Sequence, residues 1–252
     1  MTVIALPEPV AEVVDLIAAM SGALAVVLGG SRAHAIDDAQ SDWDLGLYYR
    51  REIDLAALSA LGVVYPPGAW GRIMNGGAWL KRGSVRVDVL LRDLDVVEHW
   101  TRRAERGEFE VDALLGYVAG VPTYMLSAEL ASCRPLVGTL TSVAYPPPLM
   151  AAAPPRWRFS RSFSLDYARM HAKRGNNVGA IAQAGKAVME EAHAVLSARG
   201  EWVCNEKRLI ESAGLAAVQR LFAQVPDDAS GLIRRIDLVA ERLESQAGGA
   251  SR

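Results

Sequence analysis

Two aspartates one residue apart open the run Asp42-Trp43-Asp44-Leu45-Gly46-Leu47, whose composition predicts a strand. Residues two apart on a strand project from the same face, so both carboxylates point one way. Such a pair suits Mg²⁺, which takes one or two protein carboxylates and completes its shell with water and substrate phosphates. A third carboxylate, Asp88, sits inside the apolar run Val85–Leu91, with Val87 and Val89 on the opposite face. If the two strands are neighbours, Asp42, Asp44 and Asp88 form a set able to hold two metal ions about 4 Å apart. That is the clamp used for in-line phosphoryl or nucleotidyl displacement. The chain has 14 aspartates, so an Asp-x-Asp arises by chance. A second one, Asp93-Leu94-Asp95, reads as helix capping. Order singles out the first: strand, Gly-Gly-Ser, Asp-x-Asp, then a strand bearing an aspartate.

The glycines precede the aspartates in Leu28-Gly29-Gly30-Ser31-Arg32. Following a strand and opening a helix, Gly29 and Gly30 let the backbone approach a phosphate. Exposed N–H groups and the Ser31 hydroxyl can bind its oxygens, with Arg32 adding charge. Further along, Asn75-Gly76-Gly77 reads as a hairpin turn, with a sharper alternative that puts Asn75 and Trp79 near the nucleotide or acceptor. Trp43 and Trp70 read as core or strand-surface residues. Lys173, Arg174 and Lys207 are candidate triphosphate contacts. The first two also suit a helix C-terminus, whereas Lys207 at a helix start opposes the dipole. Glu190 and Glu191 offer a general base or a solvated helix face. His34, His99, His171 and His193 show no metal-ligand spacing, and His34 alone falls in the phosphate loop.

These residues need elements to position them. Helical spacing marks Pro9–Met20, and a Val-rich run ending in Gly-Gly makes Ala23–Leu28 a buried strand. Strands follow at Asp44–Tyr49 and Val85–Leu91, with a short helix over Ile53–Leu61 between them. Asp95 and Glu98 form a capping box for a helix through Arg103. Beyond Tyr145, Arg156–Lys173, Val178–Arg199, Glu206–Ala213 and Leu232–Ser245 all read as amphipathic helices. Between these regions, Tyr145-Pro146-Pro147-Pro148 and Ala153-Pro154-Pro155 predict a stiff extended connector. The expected architecture is therefore an α/β (α+β) core with a mixed sheet over 1–150 and an all-helical bundle domain over 151–252.

Composition limits the function. Of 252 residues, 51% are hydrophobic and 22% charged, which excludes a disordered or fibrous chain. A net charge of −2 argues against a general polyanion binder. Residues 1–150 carry −6 and residues 151–252 carry +4, as expected of a cleft holding both cations and phosphates. No apolar stretch reaches the ~20 residues that span a bilayer, and no signal peptide is visible. Cys133 and Cys204 fit a reducing cytoplasm and cannot build a zinc framework.

Over roughly residues 24–91 the chain resembles the DNA polymerase beta-like nucleotidyltransferase superfamily. The likeness is carried by Leu28-Gly29-Gly30-Ser31, the eleven residues Ser31–Ser41, and Asp42-Trp43-Asp44-Leu45. Overall it looks most like the bacterial small-molecule branch, including the aminoglycoside and lincosamide nucleotidyltransferases, which join such a core to a helical domain. The resemblance implies that Asp42, Asp44 and Asp88 bind two Mg²⁺ ions and that Gly29, Gly30 and Ser31 hold phosphates of ATP or another nucleoside triphosphate. It implies transfer of a nucleoside monophosphate to a small-molecule hydroxyl, and the lack of a basic excess disfavours a nucleic-acid partner. The rival readings are an antitoxin-like or regulatory nucleotide-binding module and a nucleotidyltransferase acting on RNA or protein.

Overall fold

The computed structural model describes residues 5–33 and 42–249. In chain order its elements are α1 (Glu8–Ala18), β1 (Ala23–Leu28), α2 (Gly30–Ala33), β2 (Trp43–Tyr49), α3 (Ala56–Ser59), β3 (Gly62–Tyr65), α4 (Gly71–Met74), β4 (Gly76–Arg82), β5 (Val85–Asp93) and α5 (Leu94–Glu105). There follow β6 (Val111–Asp112), β7 (Val121–Pro122), α6 (Met125–Ser132), β8 (Arg134–Val137), α7 (Pro147–Lys173), α8 (Asn177–Arg199), α9 (Leu209–Ser212), a 3-10 segment (Ala216–Phe222) and α10 (Ala229–Gly249). The chain divides into two compact units, Met1–Arg102 with Leu126–Ala144, and Arg103–Met125 with Tyr145–Arg252. The architecture is a mixed α/β core followed by a helical region, as the sequence predicts. Among the described residues, no helix is long and apolar enough to cross a membrane.

The first unit is built on a six-stranded sheet of order β3-β4-β5-β2-β1-β8. Strands β2 and β5 run parallel, and the other neighbouring pairs are antiparallel. Period-2 alternation sorts their side chains. Leu45, Leu47 and Tyr49 of β2 join Val87, Val89 and Leu91 of β5 in a core with Val10, Val13 and Ile17 of α1. The intervening residues lie on the other face. At one end of β5 that face is closed: Arg92 is 1% exposed and donates to both carboxylate oxygens of Glu129 in α6, at 2.6 and 2.7 Å. Arg92 also donates to the Met74 carbonyl at 2.8 Å, tying α4 into the same corner.

The second unit buries a separate, alanine-rich core, with Ala168 and Ala172 of α7 against Ala180, Ala184 and Ala187 of α8. Small side chains let these two helices pack closely. Segment 103–125 adds Phe109 and Tyr124 around Trp157, whose indole N–H donates to the Tyr124 hydroxyl at 2.9 Å.

Several sequence expectations are corrected. The proline-rich stretch 147–155 is the start of α7, not an extended connector. Pro147 and Pro148 sit in its first turn, where a missing N–H costs nothing, and Pro154 and Pro155 lie inside the helix. Asn75 caps α4 at φ 63°, and the β4–β5 turn falls beyond Arg82. Asp93 rather than Asp95 caps α5, accepting from the Asp95 N–H at 2.9 Å. Asp95 and Glu98 instead bind Arg50. The helix expected over Glu206–Ala213 shrinks to α9, which leaves Lys207 in the turn ahead of it.

Removing one member of a buried ion pair strands the other's charge. Glu129→Ala should therefore lower unfolding stability by about 3 kcal/mol, the low end of the range for such pairs because Glu129 is partly exposed. The double change Arg92→Met/Glu129→Leu should recover most of it. Urea unfolding of the three proteins tests this, and a double variant no more stable than the single one refutes the account.

Candidate functional site

Strands β2 and β5 pair in register over seven consecutive positions, from Trp43↔Val87 to Tyr49↔Asp93. Asp44 is thereby the direct neighbour of Asp88, on the face away from the core. In the other direction Asp88 pairs with Trp79 of β4. The expectation that the two aspartate-bearing strands are adjacent is met by this register. Asp42 lies just ahead of β2, half-buried. Among the described residues, no three His, Cys, Asp or Glu side chains gather closely enough to hold a metal ion. The structure thus brings Asp44 and Asp88 together as register partners and does not gather Asp42 with them into a three-ligand cluster.

The Gly29-Gly30 turn packs directly on this pair. The Gly29 N–H donates to the Asp44 carbonyl at 2.8 Å, extending the β1–β2 ladder by one bond. Gly30 then turns at φ +62°, and a Cβ built there would fall on the Asp44 carboxylate, with Cγ only 2.7 Å away. Gly29 has room, its nearest neighbour being 3.7 Å from such an atom. Ser31 follows in α2, half-buried. Arg32 lies with its guanidinium 4.4 Å from the Trp43 ring centroid and donates to the Asp42 carbonyl at 3.3 Å, so it braces α2 against the start of β2. Trp43, at the start of β2, is partly buried against the sheet's core. His34, Asp37 and Asp38 lie outside the described residues.

The same face carries further residues, of which Tyr65, Lys81 and Arg86 have no role among the sequence expectations. Lys81 pairs with Arg86 two residues toward the turn from Trp79 and Asp88, and both are exposed. Tyr65 and Trp70 cluster with Trp79. The signal was present in the alternation of β5, because Val87 and Val89 facing inward places Arg86 and Asp88 together outside. Asn75 serves structure here: its side chain accepts from the Gly68 N–H at 2.9 Å and donates to the Tyr49 hydroxyl at 2.7 Å.

The candidates of the helical unit separate into two groups. Lys173 and Arg174 are exposed at the end of α7, beside the start of α8. Lys207 follows Glu206, which lies 4.0 Å from His193 near the other end of α8. The sixteen helical steps from Asn177 to His193 span about 24 Å, so these cations do not converge on one triphosphate. Glu190 and Glu191 are fully buried, neither a solvated face nor an available base. Glu191 pairs with Arg158 and Arg161, and Glu190 with Lys186 and the Ser164 hydroxyl. His193 is stacked on Trp157 at 4.4 Å, and burial pushes its pKa down to about 3. Glu206 is no counter-charge in waiting, because its oxygens accept from the N–H groups of Val118 and Ala119 at 2.6 and 2.9 Å.

No protein-family model matches the chain, and no curated protein matches it. Among solved structures it is similar to a nucleotidyltransferase-like protein from Exiguobacterium sibiricum. That alignment covers 96% of this chain and 74% of the other, with 13% identity and a TM-score of 0.46.

Two outcomes are expected. Gly30→Ala, strained at positive φ and crowded against the Asp44 carboxylate, should lower unfolding stability by about 1–3 kcal/mol, whereas Gly29→Ala should change it by less than about 1 kcal/mol. Equal losses in urea unfolding would show that the Gly30–Asp44 contact carries no structural weight. For His193, the folded pKa lies below the unfolded value of 6.5. The unfolded chain therefore takes up a proton that the native state refuses. Stability is complete above pH 6.5 and declines as pH falls from 6.5 toward 3, by up to about 1.4 kcal/mol per pH unit. His193→Phe keeps the ring stack and should flatten that slope in urea titrations between pH 7 and 4.5. An unchanged slope would mean that His193 already carries its proton when folded.

Proposed function

We propose that the chain is a nucleotidyltransferase that moves a nucleoside monophosphate, AMP from ATP, onto a hydroxyl of a small molecule and releases pyrophosphate. The observation that carries this reading is the registered pair Asp44–Asp88 with the Gly30 turn packed against it. Two adjacent all-oxygen side chains fit Mg²⁺, a hard cation that needs only one or two protein carboxylates. When bound, the divalent ions supply the positive charge that offsets the phosphates and polarises the reacting oxygens.

The chain's own residues have distinct tasks. Gly29, Gly30 and Ser31 offer backbone N–H groups and a hydroxyl to phosphate oxygens. Asp42 and Asp44 would be the metal-holding carboxylates, and Arg32 fixes the backbone at Asp42. Asp88 would hold metal as well, and it accepts the proton of the acceptor hydroxyl as that oxygen bonds to the α-phosphorus. The α-phosphorus–oxygen bond to pyrophosphate breaks in the same displacement. Lys173 and Arg174, or Lys207, remain candidates for neutralising pyrophosphate, but only as alternatives. An acidic first half disfavours a polyanionic acceptor and suits a small hydroxyl compound, amino sugars among them.

Asp44→Asn and Asp88→Asn keep shape but remove charge. Each should weaken Mg²⁺–ATP binding at least tenfold while the melting temperature holds or rises, since carboxylate repulsion is relieved. Unchanged Mg²⁺–ATP affinity in the double variant would overturn the metal assignment. Incubation with Mg²⁺, four α-labelled triphosphates and pooled hydroxyl compounds tests the reaction. Label in tRNA or protein alone would replace the small-molecule acceptor, and binding without any transfer would favour a regulatory module.

A further inference from the structure

Beside the carboxylate pair, on the side away from the glycine turn, lies an aromatic cluster. Tyr65, Trp70 and Trp79 have ring centroids 4.7 to 5.9 Å apart. A Cβ on Gly77 would sit 2.6 Å from the Trp70 ring, so the glycine lets that indole lie directly on the sheet. Tyr65 meets Trp79 edge-on, and Trp79 remains 52% exposed. Val63, its partner on β3, is 56% exposed. An indole held by two other rings yet half open to solvent is a rigid apolar surface, available at little entropic cost.

We infer that Trp79, braced by Tyr65 and Trp70, is the platform on which the acceptor's ring stacks, placing its hydroxyl at Asp88. The inference rests on the nucleotidyl-transfer reading and assigns the acceptor side of that site. Its geometric basis is one row across the sheet. Val63, Trp79, Asp88 and Asp44 are successive register partners, and strands are spaced about 4.8 Å apart. The Gly30 turn closes the opposite end of the row, beyond Asp44. In-line displacement puts the incoming oxygen and the leaving group on opposite sides of the phosphorus. With phosphates at Gly30 and Ser31, the leaving group lies on the β1 side and the acceptor enters over β4. The surface waiting there is the Trp79 indole.

The surroundings also select chemistry. Lys81 and Arg86, the next pair on this face, discourage a cationic ring on the indole. The fitting ligand is therefore an uncharged hydroxylated ring, such as a sugar or phenolic ring, whose apolar face stacks while its hydroxyl reaches the carboxylate. Any amine on the acceptor projects away from this surface. Trp79 is thus a binding residue that determines specificity, with Tyr65 and Trp70 positioning it.

Indole N–H resonances of the full chain provide the test, with Trp79 assigned as the signal missing from Trp79→Phe. The probes are phenyl β-D-glucoside, methyl α-D-glucoside and myo-inositol, with glycerol as a ringless hydroxyl control and Mg²⁺–ATP as the nucleotide. At least one ring compound should shift the Trp79 signal saturably, while glycerol does not. Trp79→Ala should weaken that binding at least tenfold, and Trp79→Phe should restore it to within about threefold, because the platform needs a ring rather than an indole. A Trp79 signal moved by Mg²⁺–ATP and by none of the ring compounds would make the cluster a base platform and overturn the proposal. No response to any probe would overturn it as well. Mg²⁺–ATP binding in wild type and Asp44→Asn is measured in parallel. If it depends on Asp44 while Trp79 stays silent, the platform fails and the transfer reading stands. If ring compounds bind but Mg²⁺–ATP does not, the transfer reading fails and the acceptor role falls with it.

Discussion

The parallel pairing of β2 with β5 is the constraint from which the site follows. Seven residues of each strand lie opposite one another in fixed register. Because side chains alternate, a slip of one residue would carry every apolar group of a strand to the wrong face. The register also forces Asp44 and Asp88 side by side, which costs energy. Two unit charges about 5 Å apart repel by about 3 kcal/mol at an effective dielectric constant near 20. Against this stand Leu45, Leu47, Tyr49, Val87, Val89 and Leu91, all essentially inaccessible. Burying each contributes about 1.5–3 kcal/mol. The core face therefore overrides the carboxylate face.

The opposite face of these strands is treated differently along its length. Toward the end of β5, Tyr48 and Arg92 are buried, and the guanidinium is satisfied by Glu129 and the Met74 carbonyl. A buried pair of this kind adds little net stability, since desolvation consumes the attraction. Its contribution is to fix where α4 and α6 meet the sheet. Toward the start of β5 the same face carries Arg86, Asp88 and the half-exposed Trp79. One strand thus closes one half of a surface and leaves reactive groups on the other, without any change in its alternation.

That alternation was legible in the sequence. Val85, Val87 and Val89 against Arg86 and Asp88 announce both the strand and the outward aspartate, and the run Ala23–Leu28 matches β1 residue for residue. The pairing of β2 with β5 was not legible, because it joins residues forty-four positions apart. Local punctuation misled wherever tertiary packing overrode it. Pro154 and Pro155 each remove a helix hydrogen bond, yet they lie within α7, where Ala153 and Trp157 pack into the core around Phe109 and Tyr124. Asn75-Gly76 has the composition of a hairpin turn, but the Asn75 side chain bonds to Gly68 and Tyr49 and the strand begins immediately after it. Glu190 and Glu191 look solvated only until Arg158, Arg161 and Lys186 are seen around them.

The last pairing changes what the charge distribution means. The C-terminal half carries a formal +4, which as a bare sum suggests a reservoir of phosphate-binding cations. Arg158, Arg161 and Lys186 are already engaged with Glu190 and Glu191, and Arg169 with Asp166 and Asp237. A guanidinium held by a buried carboxylate cannot turn to a ligand without stranding that carboxylate, at a cost of several kcal/mol. Net charge therefore overstates the cations this unit can offer a nucleotide. The chemistry-bearing groups concentrate instead along one row of the sheet, where Gly30, Asp44, Asp88 and Trp79 are ordered by strand position rather than by sequence. Glycine turn, carboxylates and aromatic surface succeed one another across it, and their order comes from the strand crossovers that made β2 and β5 neighbours.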